Sequence, residues 1–343
     1  MRTPKDPAVS IIVPVFNAKE YLNDTLKYIQ AQYFNDYEII IVDDGSTDAS
    51  GDWLDSYAKD HEGLYKISVF HQENKGIWRA RLKGISMAKG KYIAFCDADD
   101  TPTPYWLSTM VDRLERTGSD FVVSAYTQNG KILMDTFGTV EFSGEDMKHI
   151  LPYINGALWN KMFRKDILSD IPYIKNPPKS MVDMLMMAYI YPKVIKFATI
   201  KESLYHYTSH SNSSPLTVDA EEAELIHENM RLLRDYYYSA SGSSTVNANV
   251  QMCDEIALLQ LGVNLTIRRV NSGESIENAF AKEKTLLDSK FPFWKQAGMG
   301  FFWNLSHKKV AMAGWKAKTY FKLGMGKNLI KSEMKRLAKE NGQ

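Results

Sequence analysis

Two aspartates one residue apart, Asp97 and Asp99, directly follow an apolar stretch, residues 92–96. On an extended strand end, carboxylates with this spacing project to the same side, so both can reach one bound ion. Hard cations such as Mg²⁺ and Mn²⁺ take carboxylate oxygens and complete their shell with water and substrate phosphates. The spacing therefore predicts a divalent cation site, where the cation would offset the charge of a departing diphosphate.

A second acidic pair, Asp43-Asp44, follows the apolar stretch 37–42 and opens the polar run 43–48. A carboxylate at this place can accept a hydrogen bond from the imide of a nucleobase or from a ribose hydroxyl. The same run is also typical of a turn that leads into a helix capped by Ser46 or Thr47. Both interpretations stay open at this level.

Four apolar, strand-like stretches alternate with helix-like ones. Strands are predicted at 9–16, 37–42, 67–71 and 92–96, and helices are predicted to begin at the cap Asn17, after residue 48 and at Gly76. Such alternation at short spacing predicts right-handed βαβ crossovers and a doubly wound, mostly parallel sheet. Ligands of such sheets bind beyond the carboxyl ends of the strands, and both acidic groups fall there.

The alternation of strand-like and helix-like stretches becomes less regular after residue 127. Residues 156–164 mix apolar and polar side chains, as at a strand or loop edge, and Pro177-Pro178 marks a turn. Residues 220–239 and 249–267 have helical periodicity, and the Ser/Gly run 241–244 between them is predicted to be a linker.

The composition excludes several classes of protein. The chain has 42 Lys or Arg against 41 Asp or Glu, a formal net charge of +1, so we expect no nucleic-acid partner. Its two cysteines are too few for a disulfide framework or a thiolate metal site, which suits a reducing compartment. The polar N-terminus lacks the apolar core of a secretory signal, and no apolar run reaches the roughly 18 residues of a membrane-spanning helix. We therefore expect a cytoplasmic protein.

The last part of the chain, residues 290–343, is unusually basic and aromatic. It combines twelve Lys or Arg with two acidic residues and contains nine Phe, Trp or Tyr. Trp and Tyr favour the headgroup zone of a bilayer, and lysines can reach lipid phosphates. This basic tail is predicted to hold the protein on an anionic surface, the inner face of the plasma membrane. A helical subdomain that packs on the main body is one alternative, and nucleic-acid binding is another, although no nucleic-acid module signature accompanies the charge.

Four motifs, in order and at fitting spacing, resemble the family 2 glycosyltransferases of the GT-A fold, in particular those of bacterial cell-surface polysaccharides. The motifs are Val13-Pro14-Val15-Phe16-Asn17, Val42-Asp43-Asp44-Gly45-Ser46-Thr47-Asp48, Asn74-Lys75-Gly76 and Cys96-Asp97-Ala98-Asp99-Asp100. The resemblance covers roughly residues 8–215. It implies a Rossmann-like α/β catalytic domain, 1–218, followed by a helical C-terminal region, 219–343, that ends in the basic tail.

The resemblance assigns roles to the residues that match its motifs. Asp44 would contact the nucleotide base, Asp97 would lie near the ribose and the sugar, and Asp99 would hold the metal that bridges the diphosphate. The base and ribose pocket would be lined by Pro14, Phe16 and Asn17.

Two further pairs of residues are candidates around the donor. Arg79 and Lys83 lie one helical turn apart and face one side, so they are predicted to contact the diphosphate or the donor sugar, with solvated surface charges as the alternative. His206 or His210 lies in a stretch that closes over the diphosphate in relatives, and either would add a metal ligand. A structural role is the alternative for each histidine.

The acceptor side depends on Asp183. In inverting members of the family a carboxylate at the start of a helix deprotonates the acceptor, commonly within a Glu-Asp pair, whereas here Val182 precedes Asp183. We predict that Asp183 is the general base, with a helix cap as the alternative. Trp159 and Asn160 resemble the segment beside the acceptor, although Trp159 also fits core packing.

The resemblance implies an inverting glycosyltransferase that uses Mn²⁺ or Mg²⁺ and moves a sugar from a nucleotide-diphosphate sugar to a polysaccharide or lipid-linked glycan. UDP is the expected nucleotide by family habit. Two alternatives stay open. The missing glutamate before Asp183 favours a catalytically silent sugar-nucleotide or polysaccharide-binding module, and a nucleotidyltransferase would need a glycine-rich loop that residues 17–20 lack.

Overall fold

The computed structural model describes residues 6–133, 138–144, 147, 150–151, 154, 156–208, 217–240, 253–254, 257–291 and 326–340. The chain divides into two compact units. Unit 1 comprises residues 1–143, 157–177 and 193–211, and unit 2 comprises residues 144–156, 178–192 and 212–343. The single boundary near residue 218 stays a prediction.

In the described part of unit 1, ten strands form one sheet. Their bounds are β1 Val9–Val15, β2 Tyr37–Asp43, β3 Ile67–His71, β4 Tyr92–Phe95, β5 Thr101–Pro102, β6 Phe121–Gln128, β7 Lys131–Leu133, β8 Glu141–Ser143, β9 Lys161–Arg164 and β10 Lys196–Tyr207. The sheet runs in the order β3-β2-β1-β4-β9-β6-β10-β5, with β7 beside β6 and β8 beside β10.

The strands that carry the predicted motifs are parallel neighbours. β1 pairs in parallel with both β2 and β4, and β2 pairs in parallel with β3. All residues of β1 and β2 are buried, as expected for strands covered on both faces. The predicted mostly parallel α/β fold is therefore confirmed.

One strand differs from the sequence expectation. β9, within the segment predicted as a strand or loop edge, lies inside the sheet and runs antiparallel to both β4 and β6. Most of it is buried, and Phe163 packs between the rings of Phe95 and Phe121 at centroid distances of 6.2 and 5.8 Å.

Four helices of unit 1 connect the strands: α1 Lys19–Gln30, α2 Ser50–Asp60, α3 Ile77–Met87 and α4 Trp106–Thr117. The first buries Leu22, Leu26 and Ile29, which recur at helical spacing and join the core of β1 and β2. Burying such a side chain completely contributes about 1.5–3 kcal/mol, so this stripe holds the helix on the sheet.

Unit 2 is helical where the structure describes it. Its elements are α5 Val182–Ile190, α6 Ala220–Ala240, a π-helical segment Ala257–Leu265, α7 Thr266–Asn271, α8 Ile276–Lys290 and α9 Gly326–Glu340. The helix predicted at 220–239 is confirmed, and the predicted linker 241–244 lies outside the described residues. None of the described helices combines the length and apolar character needed to cross a bilayer.

A buried ion-pair network joins three helices of unit 2. One carboxylate oxygen of Glu283 in α8 accepts a hydrogen bond from Arg269 Nε of α7 at 2.5 Å. The other oxygen lies 2.6 Å from His227 Nε2 of α6. All three side chains are buried, so removing one of them would leave a buried charged group with fewer partners and should destabilise the fold.

Candidate functional site

The segments that follow β1, β2 and β4 come together at one edge of the sheet. The amide of Asp44 donates to the carbonyl of Val15 at 2.8 Å, and the amide of Cys96 donates to the carbonyl of Ile12 at 3.0 Å. The parallel pairing thus brings the motif residues after these strands to the same edge, where α/β sheets bind their ligands.

The carboxylate of Asp44 is held by the segment that follows β3. Its Oδ1 accepts hydrogen bonds from Gln72 Nε2 at 2.6 Å and from the Lys75 amide at 2.9 Å, and the residue is 3% exposed. The close approach depends on Gly45, which has φ +71° and whose added Cβ would lie 2.6 Å from the amide nitrogen of Asn74. Asp44 is therefore an oriented acceptor, as a base-reading group must be.

The three other pocket residues predicted near Asp44 differ in exposure. Pro14 is buried in β1, whereas Phe16, directly after β1, is 49% exposed and presents a free ring surface. Asn17 is exposed and adopts a left-handed backbone conformation at φ 51°.

Asn17 joins two loops and does not cap a helix. Its Oδ1 accepts hydrogen bonds from the amides of Thr47 at 2.8 Å and Asp48 at 3.3 Å, and its own amide donates to Ser46 Oγ at 3.0 Å. The capping predictions are wrong on both sides, because α1 has Ala18 at its N-cap and α2 begins at Ser50, beyond Ser46 and Thr47. The side chains of Asn17 and Ser46 instead form hydrogen bonds between the loops that follow β1 and β2.

Asp43, beside the base-reading candidate, forms an ion pair with His71. Its Oδ2 lies 2.8 Å from His71 Nδ1, and its Oδ1 accepts the Ser46 amide at 3.0 Å. Burial acts to raise the pKa of Asp43, but the hydrogen bonds from Ser46 and His71 outweigh it and lower that pKa. The hydrogen bond to Asp43 raises the pKa of His71, against the opposing effect of burial.

The acidic segment after β4 carries three carboxylates in different environments. Asp97 lies 3.3 Å from the buried guanidinium of Arg81, and its amide donates to the Tyr205 hydroxyl at 3.1 Å. Asp99 is partly buried, and Asp100 is fully buried with its Oδ1 accepting the Thr208 amide at 2.8 Å. The other oxygen of Asp100 accepts no hydrogen bond from any described residue.

This carboxylate group is an unfavourable concentration of negative charge. Burial, followed by the charges of Asp97 and Asp99, raises the pKa of Asp100 to about 9. No set of three His, Cys, Asp or Glu side chains within the described residues is arranged as a complete metal site. The residues do fit a cation that takes one or two carboxylates and completes its shell with phosphates and water, because such a cation would relieve this repulsion.

The predicted histidine ligands stay a prediction. His206 is exposed on β10, where it pairs with Thr101 of β5. His210 lies outside the described residues.

Sequence reasoning singled out Arg79 and Lys83 but missed Arg81 between them. Arg79 donates to the carbonyl of Lys175 at 2.5 Å and lies over the Tyr173 ring, and exposed Lys83 lies over the Phe70 ring. Arg81 is 1% exposed and pairs with Asp97. The available signal was an arginine at helical spacing from Trp78 and Ile85, because a charge on the apolar face of a helix needs an acidic partner.

The predicted acceptor residues of unit 1 are buried. Trp159 is 6% exposed, stacks on Tyr205 and Tyr207 at 4.9 and 5.2 Å and meets Tyr126 edge-on. Asn160 is fully buried and donates from Nδ2 to the carbonyl of Ser124 at 3.1 Å. These contacts agree with the core-packing alternative for Trp159, and a role toward the acceptor stays a prediction.

The candidate base Asp183 belongs to unit 2. It lies in the first turn of α5 and is partly exposed, between the buried side chains of Val182 and Met184. Met181, at the N-cap, has φ 56°, and its side chain makes no capping hydrogen bond. Its role in catalysis stays a prediction.

A cavity of about 810 Å³ lies in unit 1 along the flank of α3 and the amino end of β4. This is the opposite end of β4 from the aspartates. Its charged rim is paired, with Lys91 bonded to Glu115 at 2.7 Å and Arg164 to Asp166. The cavity therefore lies apart from the acidic edge.

Comparison with known proteins agrees with this geometry. EpsH of Bacillus subtilis is 31% identical over 222 residues, which make up 60% of this chain and 62% of EpsH. The glycosyltransferase GlyG of Streptococcus pneumoniae is 37% identical over 119 residues, or 34% of this chain and 38% of GlyG. The chain thus spans less than two thirds of the length of these curated relatives.

Among solved structures, TarS 1-349 of S. aureus in complex with UDP-GlcNAc has a TM-score of 0.66 at 17% identity and covers 92% of each chain. This likeness shows the shared fold, that of GT-A glycosyltransferases. The sequence model of Glycosyl transferase family 2 matches residues 10–157, which contain all four motifs. This match agrees with the family resemblance that the four motifs carry.

Proposed function

We propose that the chain is an inverting glycosyltransferase that transfers a sugar from a UDP-sugar to a polysaccharide or lipid-linked glycan. The family match of residues 10–157 supports glycosyl transfer. The UDP-GlcNAc complex of TarS, which shares the fold, supports UDP as the nucleotide.

One observation carries the proposal. An exposed aromatic ring at Phe16, an oriented carboxylate at Asp44 and the acidic segment from Asp97 follow three adjacent strands of unit 1. A ring face suits a nucleobase, a fixed acceptor suits its imide, and a crowded carboxylate group suits a cation beside a diphosphate. A nucleotide-diphosphate sugar presents these three chemistries in one ligand.

The proposed reaction is a single displacement. Asp183 takes the proton of the acceptor hydroxyl, the hydroxyl oxygen attacks the anomeric carbon, and the bond from that carbon to the diphosphate oxygen breaks. The nucleoside diphosphate departs with the bonding electrons, and the anomeric configuration inverts.

Asp99, together with Asp97, is the proposed holder of Mn²⁺ or Mg²⁺. When bound, such a cation offsets the negative charge on the departing diphosphate. Arg81 keeps the Asp97 carboxylate in place from within α3, and the Thr208 amide does the same for Asp100.

Thermal stabilisation by sugar nucleotides tests the donor part of the proposal. With Mn²⁺ present, a UDP-sugar at about a hundred times its Kd should stabilise the fold by about 2.7 kcal/mol. Slow, metal-dependent release of UDP should accompany binding. Binding without any release or transfer would favour the catalytically silent module.

The base assignment is tested by Asp183→Asn, which keeps the shape of the side chain but cannot accept the proton. Sugar transfer should fall by about a hundredfold or more, while the Kd for UDP stays unchanged. Asp219→Asn, also in unit 2, is a matched control. Near-normal transfer by the Asp183→Asn variant would overturn the assignment.

We also propose that the protein acts at the cytoplasmic face of the plasma membrane, held there by the basic tail. Residues 292–325 and 341–343 of this tail lie outside the described structure, whereas 326–340 form α9. Ile330 of α9 is buried, and Lys327, Lys331 and Lys335 are exposed at intervals of one helical turn. The lysines support contact with an anionic surface.

Neutralising these lysines tests the tail better than truncation, since a cut near Phe280 would remove Glu283 and its buried ion pairs. Replacing the three lysines with glutamine should weaken binding to anionic vesicles by about a hundredfold, at about 1 kcal/mol each. The control replaces three exposed lysines of unit 1, Lys27, Lys59 and Lys66. Equal co-sedimentation of both variants with the vesicles would refute the membrane role.

A further inference from the structure

The two oxygens of the Asp44 carboxylate accept different numbers of hydrogen bonds from the described residues. Oδ1 accepts two hydrogen bonds, from Gln72 Nε2 at 2.6 Å and from the Lys75 amide at 2.9 Å. A carboxylate oxygen has two lone-pair sites, so Oδ1 has no further capacity for a well-aligned donor. No described residue donates to Oδ2, which is left to receive a ligand.

This inequality matters because nucleobases differ in how many N–H groups they present side by side. Uracil offers a single imide N–H, at N3. Guanine offers two adjacent donors, N1–H and the 2-amino group, which match a carboxylate only when both oxygens are available. Cytosine and adenine present a ring-nitrogen lone pair where uracil and guanine present N–H, so a carboxylate repels them.

We propose that Gln72 makes this site selective for a base with one imide donor, and so for uridine over guanosine diphosphates. The inference rests on the proposed function, since it assumes that Asp44 reads the base. Guanine bound through N1–H would leave its 2-amino group facing an oxygen that is already saturated. Asp44 is only 3% exposed, so water cannot readily satisfy that buried donor.

Gln72 is the adjustable part of this arrangement. The Lys75 bond comes from the main chain, which is fixed by the close approach of Gly45 to Asn74. The Gln72 bond comes from a side chain, and removing it frees one lone pair of Oδ1. Gln72 is therefore a positioning residue that acts through Asp44, and its loss should help guanine while it weakens uracil binding.

Three nucleotides separate donor count from base size: UDP, GDP and inosine diphosphate. Hypoxanthine has the size of guanine and its N1–H but lacks the 2-amino group. Calorimetric titration of the full chain in the presence of Mn²⁺ should show GDP binding about tenfold more weakly than inosine diphosphate, a difference of about 1.4 kcal/mol. UDP should bind most tightly.

Replacing Gln72 gives the second arm of the test. In Gln72→Leu the preference for inosine diphosphate over GDP should disappear, and the ratio of UDP to GDP affinity should fall by about tenfold. The control is Glu73→Gln, at an exposed neighbour whose carboxylate lies 3.5 Å from Lys75 Nζ, and it should keep the wild-type ratios. A fold defect alone would weaken all three nucleotides equally and would leave the ratios unchanged.

The outcomes separate a failure of the Gln72 inference from a failure of the proposed function. If UDP binds but inosine diphosphate and GDP bind equally, or neither purine nucleotide binds, the pocket selects by size and the inference is overturned while the proposed function stands. The same holds if Gln72→Leu keeps the wild-type ratios. If no nucleoside diphosphate binds the wild-type chain, the proposed function fails, and the inference fails with it.

Discussion

Gly45→Ala tests whether the close approach of two loops builds the proposed base-reading site. Gly45 has φ +71°, a region that costs an alanine about 1–2 kcal/mol. Its Cβ would also lie 2.6 Å from the Asn74 amide nitrogen and 3.1 Å from the Gln72 carbonyl oxygen, both main-chain atoms. The two loops must therefore separate, and the hydrogen bond from the Lys75 amide to Asp44 lengthens. Losing a hydrogen bond to a charged group costs about 1.5–3 kcal/mol, so UDP should bind about tenfold to a hundredfold more weakly.

Gly63→Ala is the matched control. Gly63 has φ +80°, but its added Cβ would meet nothing within 4 Å, so the variant carries the backbone cost alone. Both variants should lower Tm by at least about 2 °C in thermal unfolding without ligand. Only Gly45→Ala should weaken UDP binding in calorimetry. Wild-type affinity in Gly45→Ala would refute the claim that these loops position Asp44.

Two further predictions concern stability. The raised pKa of His71 means that its pair with Asp43 stabilises the fold fully below about pH 6.5 and loses this effect as pH rises through the folded-state pKa. The pKa of Asp43 is lowered, so the stabilising effect of the pair is also lost in acid, as pH falls through the folded-state pKa of Asp43. The Tm difference between wild type and His71→Gln should therefore shrink from pH 6 to pH 8, and an equal difference at both values would contradict the pairing. Gly90→Ala, whose Cβ would lie 2.5 Å from the Ser10 amide of β1, should cost about 3 kcal/mol in chemical unfolding. Gly84→Ala should cost less, because the higher helix propensity of alanine, about 1 kcal/mol, offsets the contact of its Cβ with the Ile12 side chain. If Gly84→Ala destabilises the fold more than Gly90→Ala does, the main chain of β1 moves more readily than the helix α3.

The placement of Asp44 and Asp97 was predictable from sequence because it depends on short-range patterns. Buried parallel strands are continuous apolar runs, and residues directly after them must lie at one sheet edge. The four strands followed from this rule, and so did the sheet edge at which a ligand is proposed to bind.

The position of β9 was not predictable in the same way. Its residues, Lys161–Arg164, are few and mixed, and their strand partners lie far away in sequence. A short strand of this kind is placed by tertiary contacts such as those of Phe163, which no local pattern records.

The roles of Asn17 and Gln72 were missed for a related reason. Both are polar residues with plausible local uses, a helix cap for Asn17 and a solvated turn for Gln72. Their actual partners, the 46–48 loop and Asp44, lie about 30 residues away in the chain and meet them only after the sheet forms. Arg81 could have been found, because a charge on the buried face of a helix requires a partner.

Metal-dependent release of UDP tests the central claim most directly. Asp99 is proposed to hold a cation that offsets the charge of a departing diphosphate. In the presence of Mn²⁺ and an extract that contains glycan acceptors, the wild-type chain should release UDP from a UDP-sugar. Either EDTA or Asp99→Asn should reduce the rate of UDP release by about a hundredfold or more. Undiminished release in both cases would contradict the account.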